Sequence, residues 1–349
     1  MVSREIENTS GLREILVHTG QHYDNNMSEI FFRDLDMRRP DYFLGVGGGS
    51  HGQNTGRMLE AIEKVLTKEK PDWVVVYGDT DSTLAGALAA AKLGIPIAHV
   101  EAGLRSFNRK MPEEINRILT DHISNLLFCP TKTAEENLRN EGLESGVLNV
   151  GDVMLDAARI YGSQSLSRTY ILKKLKLKEK TYALATCHRA ENTNNPTILK
   201  EILSAFRKIN KNLVPVVLPL HPRTKQKIKE SNLDKYLSEL IVTEPVSFLE
   251  MICLEKMAKV ILTDSGGVQR EAFFYNIPCV VLRKETEWKE TILKNSNRLS
   301  GTNANNIYKQ AIIKTKEKLQ KKPNKSFGNG NSAKKIIRFL LLFSKKDLV

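Results

Sequence analysis

The chain has 349 residues, 41% hydrophobic and 27% charged, the make-up of an ordinary globular protein and enough for two domains with a core each. It contains no apolar run of the roughly 18–20 residues a membrane helix needs, Met1–Glu5 lacks the apolar stretch of a signal peptide, and Cys129, Cys187, Cys253 and Cys279 form no CxxC pair, so free thiols in the cytoplasm are expected and no zinc or redox motif. The formal charge of +13 is uneven, with 16 Lys+Arg against 24 Asp+Glu in residues 1–158 (net −8) and 37 against 16 in residues 159–349 (net +21); the basic half suits an anionic small molecule or is lysine-rich solvated surface, and no nucleic-acid recognition motif accompanies it.

Short apolar runs alternate with longer helical patterns. Strands are predicted at Arg13–His18, Trp73–Tyr77, Ile97–Val100, Leu126–Cys129, Tyr182–Cys187, Val214–Leu220, Leu240–Thr243, Val260–Thr263 and Cys279–Leu282. Most are apolar throughout, as parallel strands covered on both faces are. Helices over Gly56–Lys68, Thr83–Leu93, Glu113–Ile123 and Thr197–Asn210 fill the gaps, and the alternation predicts an α/β protein of two doubly wound domains. The Ser/Gly/Gln-rich stretch Ala158–Arg168 places the boundary, giving domains 1–160 and 161–330, with a last helix from about Asn331 and a tail as 331–349. The run Leu44–Ser50 lacks the GK[ST] ending of a phosphate loop and follows no convincing strand, so it reads as a flexible loop; no GxGxxG follows the first strand, and no cofactor or metal is expected.

In open parallel sheets ligands bind beyond the carboxyl ends of the strands. Five predicted strands run there into charged or titratable groups: Gly78-Asp79-Thr80-Asp81-Ser82, Glu101-Ala102-Gly103-Leu104-Arg105, His188-Arg189-Ala190-Glu191-Asn192, His221-Pro222-Arg223-Thr224 and Asp264-Ser265-Gly266-Gly267. A helix cap explains any one of them; five at one end of a sheet make a cleft dense in reactive groups. Ser265-Gly266-Gly267 opens a helix whose N–H groups and dipole suit a phosphate, and a plain N-cap accounts for it equally. Asp79, Glu101, Glu113 and Glu114 are the carboxylates available for proton transfer, although Met111-Pro112-Glu113-Glu114 also reads as a helix start with dipole-compensating acids. For His188 and His221 a hydrogen-bonded structural role stands beside a catalytic one.

In this order the motifs resemble the non-hydrolysing UDP-N-acetylglucosamine 2-epimerases. The matching segments are His18–Asp24, Gly78–Thr80, His99–Arg105, Met111–Arg117, His188–Asn192, Leu220–Thr224, Thr263–Gln269 and Phe327–Gly330. The resemblance implies two Rossmann-like domains facing across a cleft, the B-type glycosyltransferase fold, usually as a homodimer. It implies UDP held mainly by the second domain through His188, Arg189, Asn192, His221, Ser265, Gly266, Gly267 and Glu271, with Asp79, Glu101, Glu113 and His188 serving the chemistry. The C2 hydrogen of the sugar has no adjacent carbonyl, so without NAD the implied route is elimination of UDP across C1–C2 and re-addition. That route needs donors for the departing UDP and acids for both faces of the ring.

Three departures qualify the resemblance. Thr286-Glu287-Trp288-Lys289-Glu290 stands where many members have Thr-Glu-Arg-Pro-Glu, and the Trp version resembles the branch acting on UDP-2,3-diacetamido-glucuronate. Gln21, Arg57 and Arg189 match parts of a site where substrate activates some bacterial members, but Asp24 replaces its glutamine. The family begins with a strand and a Gly-(Thr/Ala)-Arg-Pro turn, whereas Val2–Glu7 reads as the end of a helix; the expectation is a chain that starts late, with low stability and weak activity. A hydrolysing relative, a UDP-sugar glycosyltransferase and an inactive UDP-sugar-binding paralogue are the rival readings.

Overall fold

The computed structural model describes residues 1–20, 35, 37–293, 296–317 and 325–343. The chain divides into two compact units, Met1–Asp156 with Asn324–Val349, and Ala157–Pro323.

The first unit opens with helix α1 (Val2–Glu7) and two short parallel strands, β1 (Val17–His18) and β2 (Tyr42–Phe43). Of the predicted strand Arg13–His18 only the last two residues are strand. The glycine run after Phe43 follows β2, contrary to expectation, and leads into α2 (His51–Glu69). This helix starts at His51 rather than Gly56 because Ser50 and Gln53 cap each other's backbone N–H groups. A four-stranded parallel sheet follows, in the order β3 (Val74–Tyr77), β4 (Ile97–Val100), β5 (Leu126–Cys129), β6 (Val147–Asn149). Its connections are α3 (Asp81–Lys92), α4 (Pro112–Ile123) and α5 (Lys132–Asn140). Among the described residues β1 pairs only with β2 and β3 only with β4, so the strands of this unit lie in two separate sheets.

Met58, Ile62 and Leu66 of α2 pack with Ala85 and Ala89 of α3 against Val76 and Ile97. A second cluster joins Ala98, Val100, Leu126 and Phe128 to Val2 and to Ala333, Ile336 and Ile337 of the last helix, Ser332–Leu342. That helix therefore belongs to the first unit: its apolar i, i+3, i+4 face requires burial, and the sheet supplies the surface. Asp156 ties it down, Oδ2 accepting from Ala333 N at 2.8 Å.

Helix α6 (Val153–Gln164) carries the chain across the division between the units. The Ser/Gly/Gln-rich stretch read as the domain boundary is thus helical, continuing into a 3₁₀ turn, Ser165–Arg168. The second unit is one six-stranded parallel sheet in the order β12-β11-β10-β7-β8-β9. Its strands are β7 (Ala183–Thr186), β8 (Val216–Pro219), β9 (Ile241–Thr243), β10 (Val260–Thr263), β11 (Cys279–Val281) and β12 (Asn297–Leu299). The helices that bear on the site are α7 (Pro196–Asn212), α8 (Pro222–Glu230), α9 (Phe248–Met257) and α10 (Gly266–Phe274). Alternate strand residues serve the two faces: Ala183, Ala185, Leu218 and Leu262 in one core cluster, Leu184, Val217, Ile261 and Cys279 in the other. Burial on both faces is why these strands read as continuous apolar runs.

Strand β7 lies between β8 and β10, so the order reverses beside it. Such a switch point splays the connections apart and opens a crevice at the carboxyl ends. Thr186 and Thr263, the last residues of β7 and β10, share a hydrogen bond of 2.6 Å between their hydroxyls.

Candidate functional site

In the second unit the site is built on the paired exits of β7 and β10. Asp264, fully buried, receives the backbone N–H of His188 at 3.1 Å on both oxygens, and that of Arg189 at 3.0 Å on Oδ2. Asn192 Nδ2 donates to the same Oδ2 at 2.9 Å and to Leu282 O at 3.3 Å. The acid that opens the Asp-Ser-Gly-Gly motif thus fixes the loop after β7, while the His188 side chain stays 42% exposed with Nδ1 3.7 Å from Asp264 Oδ1. The ring of His221 lies 6.0 Å from that of His188, and His221 Nδ1 caps α8 by accepting from Arg223 N at 3.2 Å.

Ser265 caps α10, its Oγ accepting from Val268 N at 3.3 Å. The N–H groups of Gly266 and Gly267 sit in the first turn, where helix geometry supplies no acceptor. The two glycines differ in what surrounds them. A Cβ on Gly266 meets Glu287 Oε1 at 3.0 Å and Trp288 Nε1 at 3.3 Å, whereas on Gly267 its nearest neighbour is Ser265 Oγ at 3.7 Å. Glu287 is held by Arg283 Nη1 at 2.9 Å and lies 3.5 Å from Arg189 Nη2. Trp288, buried, carries the Arg270 guanidinium 3.9 Å over its ring. Glu271 is buried one turn into α10 beside Glu255 of α9. Burial, and then the neighbouring Glu271, push the Glu255 carboxyl well above the usual carboxylate range.

In the first unit the paired exits of β3 and β4 carry Asp79 and Glu101. Asp79, with a third of its side chain exposed, accepts from Arg117 Nε at 3.0 Å, and its carbonyl accepts from Asn116 Nδ2 at 3.0 Å. Glu101, half-buried, takes a left-handed backbone with φ +74°. Glu113 is half-buried in the first turn of α4 and shares a helix face with Asn116 and Arg117, at i+3 and i+4. Glu114 is different. It is buried, takes the N–H of Ser106 at 2.9 Å and of Phe107 at 2.8 Å, and pairs with Arg117. The structure therefore assigns Glu114 to holding the 106–107 loop.

Arg117, Asp264 and Glu255 were not singled out by sequence reasoning. The first two lay inside matching motifs, Asp264 also as a charged strand exit, but neither was given a role, and Glu255 carried no signal. Arg57 is exposed on α2, and Gln21 lies outside the described residues. Among the described residues no group of three or more His, Cys, Asp or Glu could hold a metal ion, and no helix is long and apolar enough to cross a membrane.

Comparison with known proteins matches residues 4–341 to the family model described as UDP-N-acetylglucosamine 2-epimerase. A UDP-N-acetylglucosamine 2-epimerase homolog of Methanococcus maripaludis is 51% identical over 97% of this chain and 94% of its own length. The UDP-2,3-diacetamido-2,3-dideoxy-D-glucuronate 2-epimerase of Pseudomonas aeruginosa is 50% identical over 97% and 94%. The crystal structure of Methanocaldococcus jannaschii UDP-GlcNAc 2-epimerase in complex with UDP-GlcNAc and UDP superposes with a TM-score of 0.92 at 44% identity, covering 98% of this chain and 95% of that one. The two parallel-stranded α/β units share the fold of these neighbours, the two-domain B-type glycosyltransferase fold, and the chain belongs to the UDP-N-acetylglucosamine 2-epimerase family.

Proposed function

We propose that the protein is a non-hydrolysing UDP-N-acetylglucosamine 2-epimerase that interconverts UDP-GlcNAc and UDP-ManNAc for the synthesis of cell-surface polysaccharide precursors. The observation that carries this reading is the placing of Asp79 and Glu101 at adjacent strand exits with Glu113 on the helix face that touches Asp79. In the forward step a carboxylate takes the C2 proton, the C1–O bond breaks with its electron pair on UDP, and 2-acetamidoglucal remains. UDP then re-adds at C1 while an acid protonates C2 from the opposite face. The first turn of α10 and the exposed His188 stabilise the charge on departing UDP, through N–H donors and the helix dipole. Arg189, Asn192, His221 and Glu271 complete the nucleotide side, with Asn192 acting through the Asp264 clamp. Incubation with UDP-GlcNAc in D₂O tests the reaction class. Deuterium at C2 together with UDP-ManNAc supports the reading; UDP and free N-acetylmannosamine indicate hydrolysis, and an unchanged substrate indicates a binding-only paralogue.

A second reading, UDP-2,3-diacetamido-2,3-dideoxy-glucuronate as substrate, is favoured by the buried Trp288–Arg270 stack beside Gly266 and by the 50% identity to the Pseudomonas aeruginosa enzyme. Side-by-side kcat/KM values on the two sugars decide between them. The enzyme works in the cytoplasm, where its four buried free cysteines stay reduced. It is a homodimer: Ile115 and Leu119, one turn apart on α4, are exposed apolar side chains that a second copy covers. Light scattering in solution tests this, and a monomer mass removes it. Gln21 and Arg57 remain candidates for substrate activation, read as a sigmoidal rate curve that becomes hyperbolic in Arg57→Ala.

A further inference from the structure

Beneath the exits of β3 and β4 lies a cluster of buried charge. His99, in β4, is fully buried, with Nδ1 2.7 Å from Asp121 Oδ1 and Nε2 2.8 Å from the carbonyl oxygen of Gly78. Both partners are acceptors. A neutral imidazole has one N–H, so either tautomer would set a ring lone pair against an oxygen in a fully buried place, where an unmet acceptor costs about 1–3 kcal/mol. Only the doubly protonated ring meets both.

We infer that His99 is a buried imidazolium that acts as a positioning residue, clamping the Gly78-Asp79 turn to the strand exit that carries Glu101. The positioning part rests on the reading of Asp79 and Glu101 as the acids that exchange the C2 proton. Gly78 immediately precedes Asp79 and is held twice by β4: its N–H donates to Val100 O at 3.0 Å, and its carbonyl receives His99 Nε2–H. The other ring proton goes to Asp121, and that carboxylate also pins the Glu101 turn, with Oδ2 accepting from Gly103 N at 3.1 Å. This turn needs holding. Glu101 and Gly103 both have positive φ, +74° and +78°, and a Cβ on Gly103 would lie 2.3 Å from Ala134 O. One proton-rich ring and its counter-ion thus grip both acid-bearing loops.

The surrounding groups agree with this charge state. Asp121 of α4 also receives Arg105 Nη1 at 2.7 Å, and Arg105 gives Nε and Nη2 to Glu141 at 2.7 Å each. Cys129 of β5 is kept as a thiol by burial and by Asp121. With His99 charged, two buried cations, His99 and Arg105, face the buried Asp121 carboxylate, and Arg105 reaches on to the part-exposed Glu141; without that proton Asp121 Oδ1 meets a ring lone pair in a fully buried place, which is costly. Burial alone would raise the Asp121 carboxyl, yet His99 and Arg105 hold it below its ordinary value.

The test uses the full-length enzyme labelled with ¹⁵N-histidine. In the folded protein both ring nitrogens of His99, assigned through contacts to Gly78 and Val100, are expected to show protonated nitrogen shifts with an attached proton each. One unprotonated nitrogen overturns the imidazolium. His99→Gln, which offers a donor on one side only, is expected to lower kcat about 10–100-fold while KM and UDP affinity stay within about twofold. An unchanged kcat, or a parallel loss of UDP affinity, overturns the positioning role. If the variant does not fold, the ring measurement on the unmodified enzyme still decides the charge state. A wild-type enzyme without epimerase activity would overturn the functional reading while leaving the ring result intact.

Discussion

Arg117 donates from Nε to Asp79 Oδ2 at 3.0 Å and from Nη1 to Glu114, so one buried guanidinium orients one half-buried and one buried acid. Asp79→Asn keeps the shape and removes the charge that accepts a proton. Turnover is expected to fall about 10²–10⁴-fold, with UDP affinity, which the proposed function assigns to the other unit, unchanged. A kcat near that of the unmodified enzyme would remove Asp79 from proton transfer.

Adjacent Glu113 and Glu114 separate by assay. Glu113→Gln is expected to cost activity on the scale of Asp79→Asn with no change in melting temperature. Glu114→Gln breaks the pair with Arg117 in a buried place and is expected to cost about 1–3 kcal/mol of stability, read as a drop of several degrees in Tm. The assignment fails if both variants lose activity at full stability.

The two glycines of α10 predict different outcomes. Gly267→Val meets only Ser265 Oγ, at an ordinary contact distance of 3.7 Å, at the helix N-terminus and is expected to weaken UDP binding at least about tenfold, or 1.4 kcal/mol, without changing Tm. Gly266→Val runs into Glu287 and Trp288 and is expected to lower both. Calorimetry with UDP and a thermal melt on each variant check this; unchanged UDP affinity in Gly267→Val would make the turn structural only.

Glu255 predicts a pH effect on stability. Its folded pKa is raised, by burial and then by Glu271, well above the ordinary glutamate value of about 4.5. The folded state therefore holds a proton that the unfolded state has lost. The favourable contribution is fully present below the unfolded pKa and declines as pH rises toward the folded one, by about 1.4 kcal/mol per pH unit within that window. Glu255→Gln removes the decline, so its stability relative to the unmodified protein is expected to improve from pH 5 to pH 8. A constant difference across that range would show that Glu255 does not titrate in the folded state as described.

Much of the architecture was legible before folding. The strands at Ile97–Val100, Leu126–Cys129 and Val260–Thr263 coincide with their predicted spans, because burial on both faces leaves an uninterrupted apolar run as a local signature. The motifs at the strand exits were legible for the same reason: position after a strand is a local property. The edge strand β6 and the Asn/Arg-containing β12 were missed, since β6 is only half-buried and short strands of this kind lack that signature. The sequence alone determined the alternation of strands and helices, the family and the inventory of acids. Apart from the family resemblance, which chose Glu113, it left Glu113 and Glu114 equivalent, showed Asp264 only as a charged group at a strand exit, and made the last helix an appendage. The tertiary structure decided these points because each depends on residues distant in the chain. The buried guanidinium of Arg117, the N–H groups following β7 and the apolar surface of β4 and β5 exist as surroundings only once the sheets have formed.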